Sequence, residues 1–135
     1  MLQAMNTGHE GSMTTVHANT PRDALARVQN MVMMAGLDLP ERAIKEQVVS
    51  AIDLVVQLSR LADGSRKVTH VTEIAGLEGE TISLQDIFLL ERGGVNEDGT
   101  IEGELLPTGL IPTFGERLRR SGVALPPSLF RRSDG

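Results

Sequence analysis

The stretch Gly8-His9-Glu10-Gly11-Ser12-Met13-Thr14-Thr15-Val16-His17-Ala18-Asn19 decides how the rest of this chain is read. A glycine-bounded turn leads into a short run rich in Thr and Val, which predicts a strand over Met13 to Ala18. Thr20-Pro21-Arg22-Asp23 then predicts a helix start. Thr20 serves as N-cap, Pro21 takes the first helical position, and Asp23 is the acidic third residue facing the free N–H groups. His17 is thereby expected at the carboxyl end of a strand, beside the positive end of a helix. Ligands of open α/β sheets bind in such places, and helix N-termini favour anions. A hydrogen-bonded turn histidine carries the same signature, so the placement alone leaves both roles open.

Upstream, Met1 to Asn6 reads as the end of a helix with Gly8 as its stop, a pattern that suits a chain cut from something longer. Downstream, Ala24, Leu25, Val28, Met31, Val32 and Ala35 recur at helical spacing and predict a helix over Pro21 to Ala35, ended by Gly36. Met31, Met33 and Met34 are expected to fill gaps in a core. A second helix is expected over Pro40 to Ile52. It buries Ile44, Val48, Ala51 and Ile52 and carries the pairs Glu41–Lys45 and Arg42–Glu46 on a solvated face. Asp53 to Leu61 and Arg66 to Ala75 form a hairpin about Asp63-Gly64, with Leu54, Val56 and Leu58 alternating in the first strand. Val68, His70, Thr72 and Ile74 share a face of the second, which gives His70 a structural role.

Gly76 to Gly79 reads as a turn, and Thr81 to Leu90 suits either helix or strand. Asn96-Glu97-Asp98-Gly99 joins that run to Ile101 to Leu106 as a small ribbon. Thr113-Phe114-Gly115-Glu116 has the form of a capping box for a short helix ending at Gly122. Phe130 is the expected anchor of the tail. Arg117, Arg119, Arg120, Arg131 and Arg132 make the tail basic, either as solvated charge or as a surface for anionic lipid or a partner.

The 135 residues suffice for one domain with a real core. Thirteen basic against eighteen acidic residues leave a net charge of −5, without the basic footprint of a nucleic-acid binder. No cysteine is present, so neither disulfides nor thiolate metal sites arise, which suits a reducing compartment. No apolar run approaches the ~18 residues of a membrane span, and the N-terminus lacks the basic and apolar regions of a secretory signal. Trp and Tyr are absent, so the core is aliphatic. His9, Glu10 and His17 are spaced unlike helical or hairpin ligand sets, and no metal is expected.

Leu2 to Ser12, Thr14 to Asn19 and Pro21-Arg22-Asp23-Ala24-Leu25 together resemble the His-box region of the type II/IV secretion ATPases, nearest to the CpaF-like pilus-assembly branch. Arg60 to Arg66, Glu73-Ile74 and Gly109 to Phe130 look similar too. The resemblance implies an α/β fold. Residues 1–78 would be the rear half of a RecA-like P-loop NTPase core, a strand, two helices and a hairpin including the His box. Residues 79–135 would be a C-terminal β-ribbon and helix appendage. In such enzymes the phosphate loop and the acidic Walker B segment precede the His box. This sequence has no G-x-x-x-x-G-K-[ST] and no Gly-Lys pair. The resemblance therefore implies the C-terminal portion of a longer enzyme, inactive alone.

By the same resemblance His17 is the catalytic candidate, its imidazole reaching the terminal phosphate. His9, Thr15 and Arg22 are further candidates for nucleotide contact. Arg22, Arg60 and Arg66 match family positions, either to reach a neighbouring subunit's nucleotide or as surface salt-bridging residues. ATP and Mg²⁺ are implied for the whole enzyme and not for this chain alone. The implied partners are the upstream part of the same ATPase, a homo-hexamer, and an inner-membrane secretion or pilus platform protein at the cytoplasmic face of the membrane; nucleic acid is not among them. The alternative is a non-catalytic interaction module derived from such an ATPase.

Overall fold

The protein is described by a computed structural model covering residues 14–36 and 39–131. Its elements run α1 (Pro21–Met34), α2 (Glu41–Ala51), β1 (Leu54–Arg60), β2 (Arg66–Glu78), β3 (Thr81–Val95), β4 (Ile101–Pro107), α3 (Gly115–Arg120) and a 3₁₀ turn (Pro127–Phe130). The strands form one four-stranded sheet in the order β1-β2-β3-β4. Short turns between sequential neighbours make it an antiparallel meander. The fold is therefore α/β in content. Two compact units divide it: Met1–Leu54 with Ile74–Leu84, and Val55–Glu73 with Gln85–Gly135.

In the first unit α1 packs on α2. Leu25 and Val28 of α1 and Ile44 and Val48 of α2 are buried, with Ile74 and Ile82 from the strands. The start of α1 is as the sequence predicts: Thr20 Oγ1 accepts from the Asp23 N–H at 3.0 Å. Asp23 reaches back to accept from the Asn19 N–H at 3.2 Å. Gly36 closes the helix with φ +79°. Two expectations fail here. Residues 14–18 form no strand, because a strand needs a ladder partner and the sheet among the described residues is built wholly from 54–107. Met31, Met33 and Met34 are 47%, 54% and 86% exposed rather than core, and the buried residues of α1 stop at Val28.

In the second unit two turns share one design. In Leu61-Ala62-Asp63-Gly64-Ser65 the Asp63 carboxylate accepts from the Ser65 N–H and hydroxyl at 2.9 and 2.6 Å. In Asn96-Glu97-Asp98-Gly99-Thr100 the Asp98 carboxylate accepts from the Thr100 N–H and hydroxyl at 3.1 and 2.6 Å. Gly64 and Gly99 take φ +85° and +86°, which only glycine adopts freely. The other Asp63 oxygen accepts from the Ile101 N–H at 2.7 Å, tying the first turn to the start of β4. Leu61, Ile87 and Phe130 form the apolar centre, and Phe130 anchors the tail against Phe88 at 6.1 Å between ring centroids.

One further expectation needs correction, and two are made specific. β2 continues to Glu78, so the turn is Gly79-Glu80 and not Gly76 to Gly79. The run from Thr81 is strand, and longer than expected. Leu54, Val56 and Leu58 alternate as predicted but point outward, 40%, 48% and 60% exposed, while Gln57 is buried. Period-2 spacing finds the strand without saying which face is covered.

Candidate functional site

Of the residues singled out from sequence, His9 lies outside the described residues. Thr15 and His17 are exposed on the non-regular segment that enters α1. Arg22 sits in the first turn of α1, and its Nη2 donates to the Ile82 carbonyl at 3.2 Å. His17 thus stands on the segment ahead of a capped helix, while Arg22 is occupied in holding that helix to β3.

Beside Arg22, two cations of α2 clamp the β2–β3 turn. Arg42 Nη1 donates to the Gly79 carbonyl at 3.1 Å, and Lys45 Nζ to the Glu80 carbonyl at 2.5 Å. The predicted pairs do form, Arg42–Glu46 at 3.3 Å and Lys45–Glu41 at 3.4 Å. The Lys45 side chain is nevertheless only 18% exposed, so this face of α2 is not simply solvated. Turn carbonyls lack ladder partners and need donors; Arg42 and Lys45 supply them. Arg22, Glu41, Lys45, Glu80 and Thr81 line a shallow groove at this clamp.

Glu73, which the family resemblance includes, is the one buried carboxylate among the described residues, 1% exposed in β2. Its Oε1 accepts from Gln85 Nε2 and the Thr113 N–H, both at 3.0 Å. Its Oε2 accepts from the Thr113 hydroxyl at 2.8 Å and the Phe114 N–H at 3.1 Å. Four donors meet a buried carboxylate, the condition under which such a charge is tolerated. The expected capping box at Thr113 is thereby overturned. The hydroxyl is spent on Glu73, and α3 begins after Phe114 with no side-chain cap. An acidic residue between Thr72 and Ile74 in a strand was the available signal. Arg60 lies beside the Asp63-Gly64 turn, and Arg66 is exposed at the start of β2.

A phosphate cradle needs a glycine loop, a lysine and a hydroxyl. The sequence holds no such loop, and no three His, Asp or Glu side chains converge as a cation site among the described residues. The residues present do not by themselves fit Mg-ATP.

The model of the family described as type II/IV secretion system protein matches residues 1–94, from the first residue to Gly94 of β3. The chain belongs to the type II/IV secretion system protein family. A Mycobacterium tuberculosis member named for conjugal transfer is 30% identical over 106 residues, 78% of this chain and 29% of that protein. The conjugal transfer protein TrbB of Rhizobium radiobacter is 40% identical over 76 residues, 56% of this chain and 22% of its own length. The type IV secretion system protein VirB11 of Bartonella quintana is 39% identical over 75 residues, 52% of this chain and 20% of its own. The chain thus spans less than a third of these family members. Among the described residues no helix is long and apolar enough to cross a membrane.

Proposed function

We propose that this chain is the His17-bearing C-terminal part of a CpaF-like ATPase that powers pilus assembly or protein export. The observation that carries this reading is the family match over residues 1–94, which contains the whole Gly8 to Asn19 stretch. The exposed position of His17 supports it, since an imidazole on a non-helical segment can donate to an anionic oxygen brought from outside the chain. ATP and Mg²⁺ would be held by residues upstream, and His17 would act on the terminal phosphate. Likeness to relatives named for conjugal transfer and type IV secretion favours export machinery. The outward apolar residues of β1 support completion of a RecA-like core by further chain, because an apolar edge strand is a surface that another strand or layer covers. A homo-hexamer at the cytoplasmic face of the inner membrane, docked on a platform protein, completes the proposal.

The test is ATP hydrolysis by a polypeptide carrying these 135 residues behind a P-loop segment, compared with the same polypeptide ending before Gly8. Hydrolysis only in the longer form is expected. Equal rates would instead make this chain a non-catalytic module.

A further inference from the structure

The exposed His17 side chain bonds to none of the described residues, so the place of its imidazole follows from the backbone that carries it. That backbone soon meets a fixed frame. The start of α1 is seated on the sheet: Pro21 and Leu25 are buried, and Arg22 Nη2 donates to the Ile82 carbonyl of β3 at 3.2 Å. The Ala24 N–H donates to the Thr20 carbonyl at 2.9 Å, the first bond of the helix. Between this frame and His17 the chain bends at Asn19 and Thr20.

Asp23 grips both residues of the bend. Its N–H donates to the Thr20 hydroxyl at 3.0 Å, and its Oδ2 accepts from the Asn19 N–H at 3.2 Å. The Thr20 bond is an ordinary helix cap and uses only the backbone of residue 23. The Asn19 bond needs the carboxylate, and it ties down a peptide of the entering segment rather than of the helix. The same Oδ2 meets Arg27 Nε at 3.5 Å, one helical turn along. Both side chains are exposed, so the pair adds little stability. Its effect is to steady the carboxylate over the bend.

We propose that Asp23 is a positioning residue for His17: its carboxylate, braced by Arg27, holds the Asn19 N–H and thereby aims the imidazole. This role rests on His17 acting at the terminal phosphate. A donor to charge that develops in a transition state must already stand in place, and a misplacement of about 1 Å can cost about 10²-fold. Removing the Asp23 carboxylate loosens a peptide two residues away and leaves the imidazole itself intact, so a smaller loss of about tenfold in kcat is expected. The KM for ATP should change little, because the interaction is made in the transition state.

Two measurements test this. The first is ¹⁵N relaxation of the 135-residue chain without nucleotide. The Asn19 amide should show an order parameter near the ~0.85 of rigid backbone in wild type and below ~0.6 in Asp23→Ala. The second is a double-mutant cycle, by steady-state ATP hydrolysis, in the polypeptide carrying these residues behind a P-loop segment. Asp23→Ala should lower kcat by about tenfold with His17 present and by less than about twofold in the His17→Ala background. A merely structural loss would lower kcat equally in both. Asp23→Asn keeps an acceptor oxygen in place and should recover most of the loss. If Asp23→Ala unfolds the chain by circular dichroism, Asp23→Ser carries the same comparisons, its hydroxyl falling one bond short of the carboxylate oxygens. Three results would overturn the role of Asp23 and leave that of His17 standing: an Asn19 amide equally ordered in wild type and variant, wild-type kcat in Asp23→Ala, or an Asp23→Ala loss that persists in full without His17. Unchanged turnover in His17→Ala would instead remove the reading of His17, and this role with it.

Discussion

Glu73 accepts from both the backbone N–H and the hydroxyl of Thr113, forty residues further along the chain. The carboxylate also accepts from the Phe114 N–H and from Gln85. It fastens the segment that enters α3 to the middle of β2. Glu73→Ala removes the acceptor for all four donors and should destabilise by about 2–4 kcal/mol. Glu73→Gln keeps the shape but turns an N–H group toward donors, so it should recover only part of the loss. Urea unfolding checks both. A loss under about 0.5 kcal/mol in the alanine variant would mean the segment is held by other contacts.

The Asp63 carboxyl is held down to about 2, from an ordinary 3.8, by the Ser65 hydroxyl first and then by the Ile101 and Ser65 N–H groups. The Thr100 hydroxyl and N–H lower Asp98 in the same way. A depressed folded value means stability that is complete above about 3.8 and lost as the pH falls toward about 2. The unfolding midpoint should therefore fall through that window in wild type and fall less in Asp63→Asn. A carboxyl at Asp63 titrating near 3.8 by NMR would contradict this.

Thr20 caps a fourteen-residue helix, and its hydroxyl is the acceptor for the Asp23 N–H. Thr20→Ala should cost about 1 kcal/mol, and Thr20→Ser should restore most of it. Equal stability of all three forms would show that water serves the cap as well.

Leu58 is 60% exposed on the outward face of β1. Leu58→Lys should leave stability within about 0.5 kcal/mol and reduce binding of a hydrophobic dye. A loss above about 2 kcal/mol would mean that Leu58 is covered in solution.

Much of this fold was legible because local chemistry set it. Thr20-Pro21 and Asp23 start α1, and the two Asp-Gly turns each spend a carboxylate on the next Ser or Thr. What failed depended on partners distant in sequence. Thr113 has the form of a helix cap, yet a buried carboxylate forty residues away competes for its hydroxyl and wins. Leu54, Val56 and Leu58 show their period but not their face, because burial depends on what lies over the sheet. Thr14 to Ala18 has strand composition but pairs with no strand among the described residues. At the candidate site the family resemblance offered His17 as the catalytic candidate and Arg22 as a further nucleotide contact. The structure leaves His17 exposed and commits Arg22 to the Ile82 carbonyl.

The role of His17 is the central claim, and one comparison tests it most directly: His17→Ala against wild type, by steady-state ATP hydrolysis, in a polypeptide carrying this chain behind a P-loop segment. If the imidazole donates to charge that develops on the terminal phosphate, kcat falls by roughly 10²–10³ while the KM for ATP changes little. Turnover within a factor of about two of wild type would contradict the account and leave His17 as an exposed residue ahead of a helix.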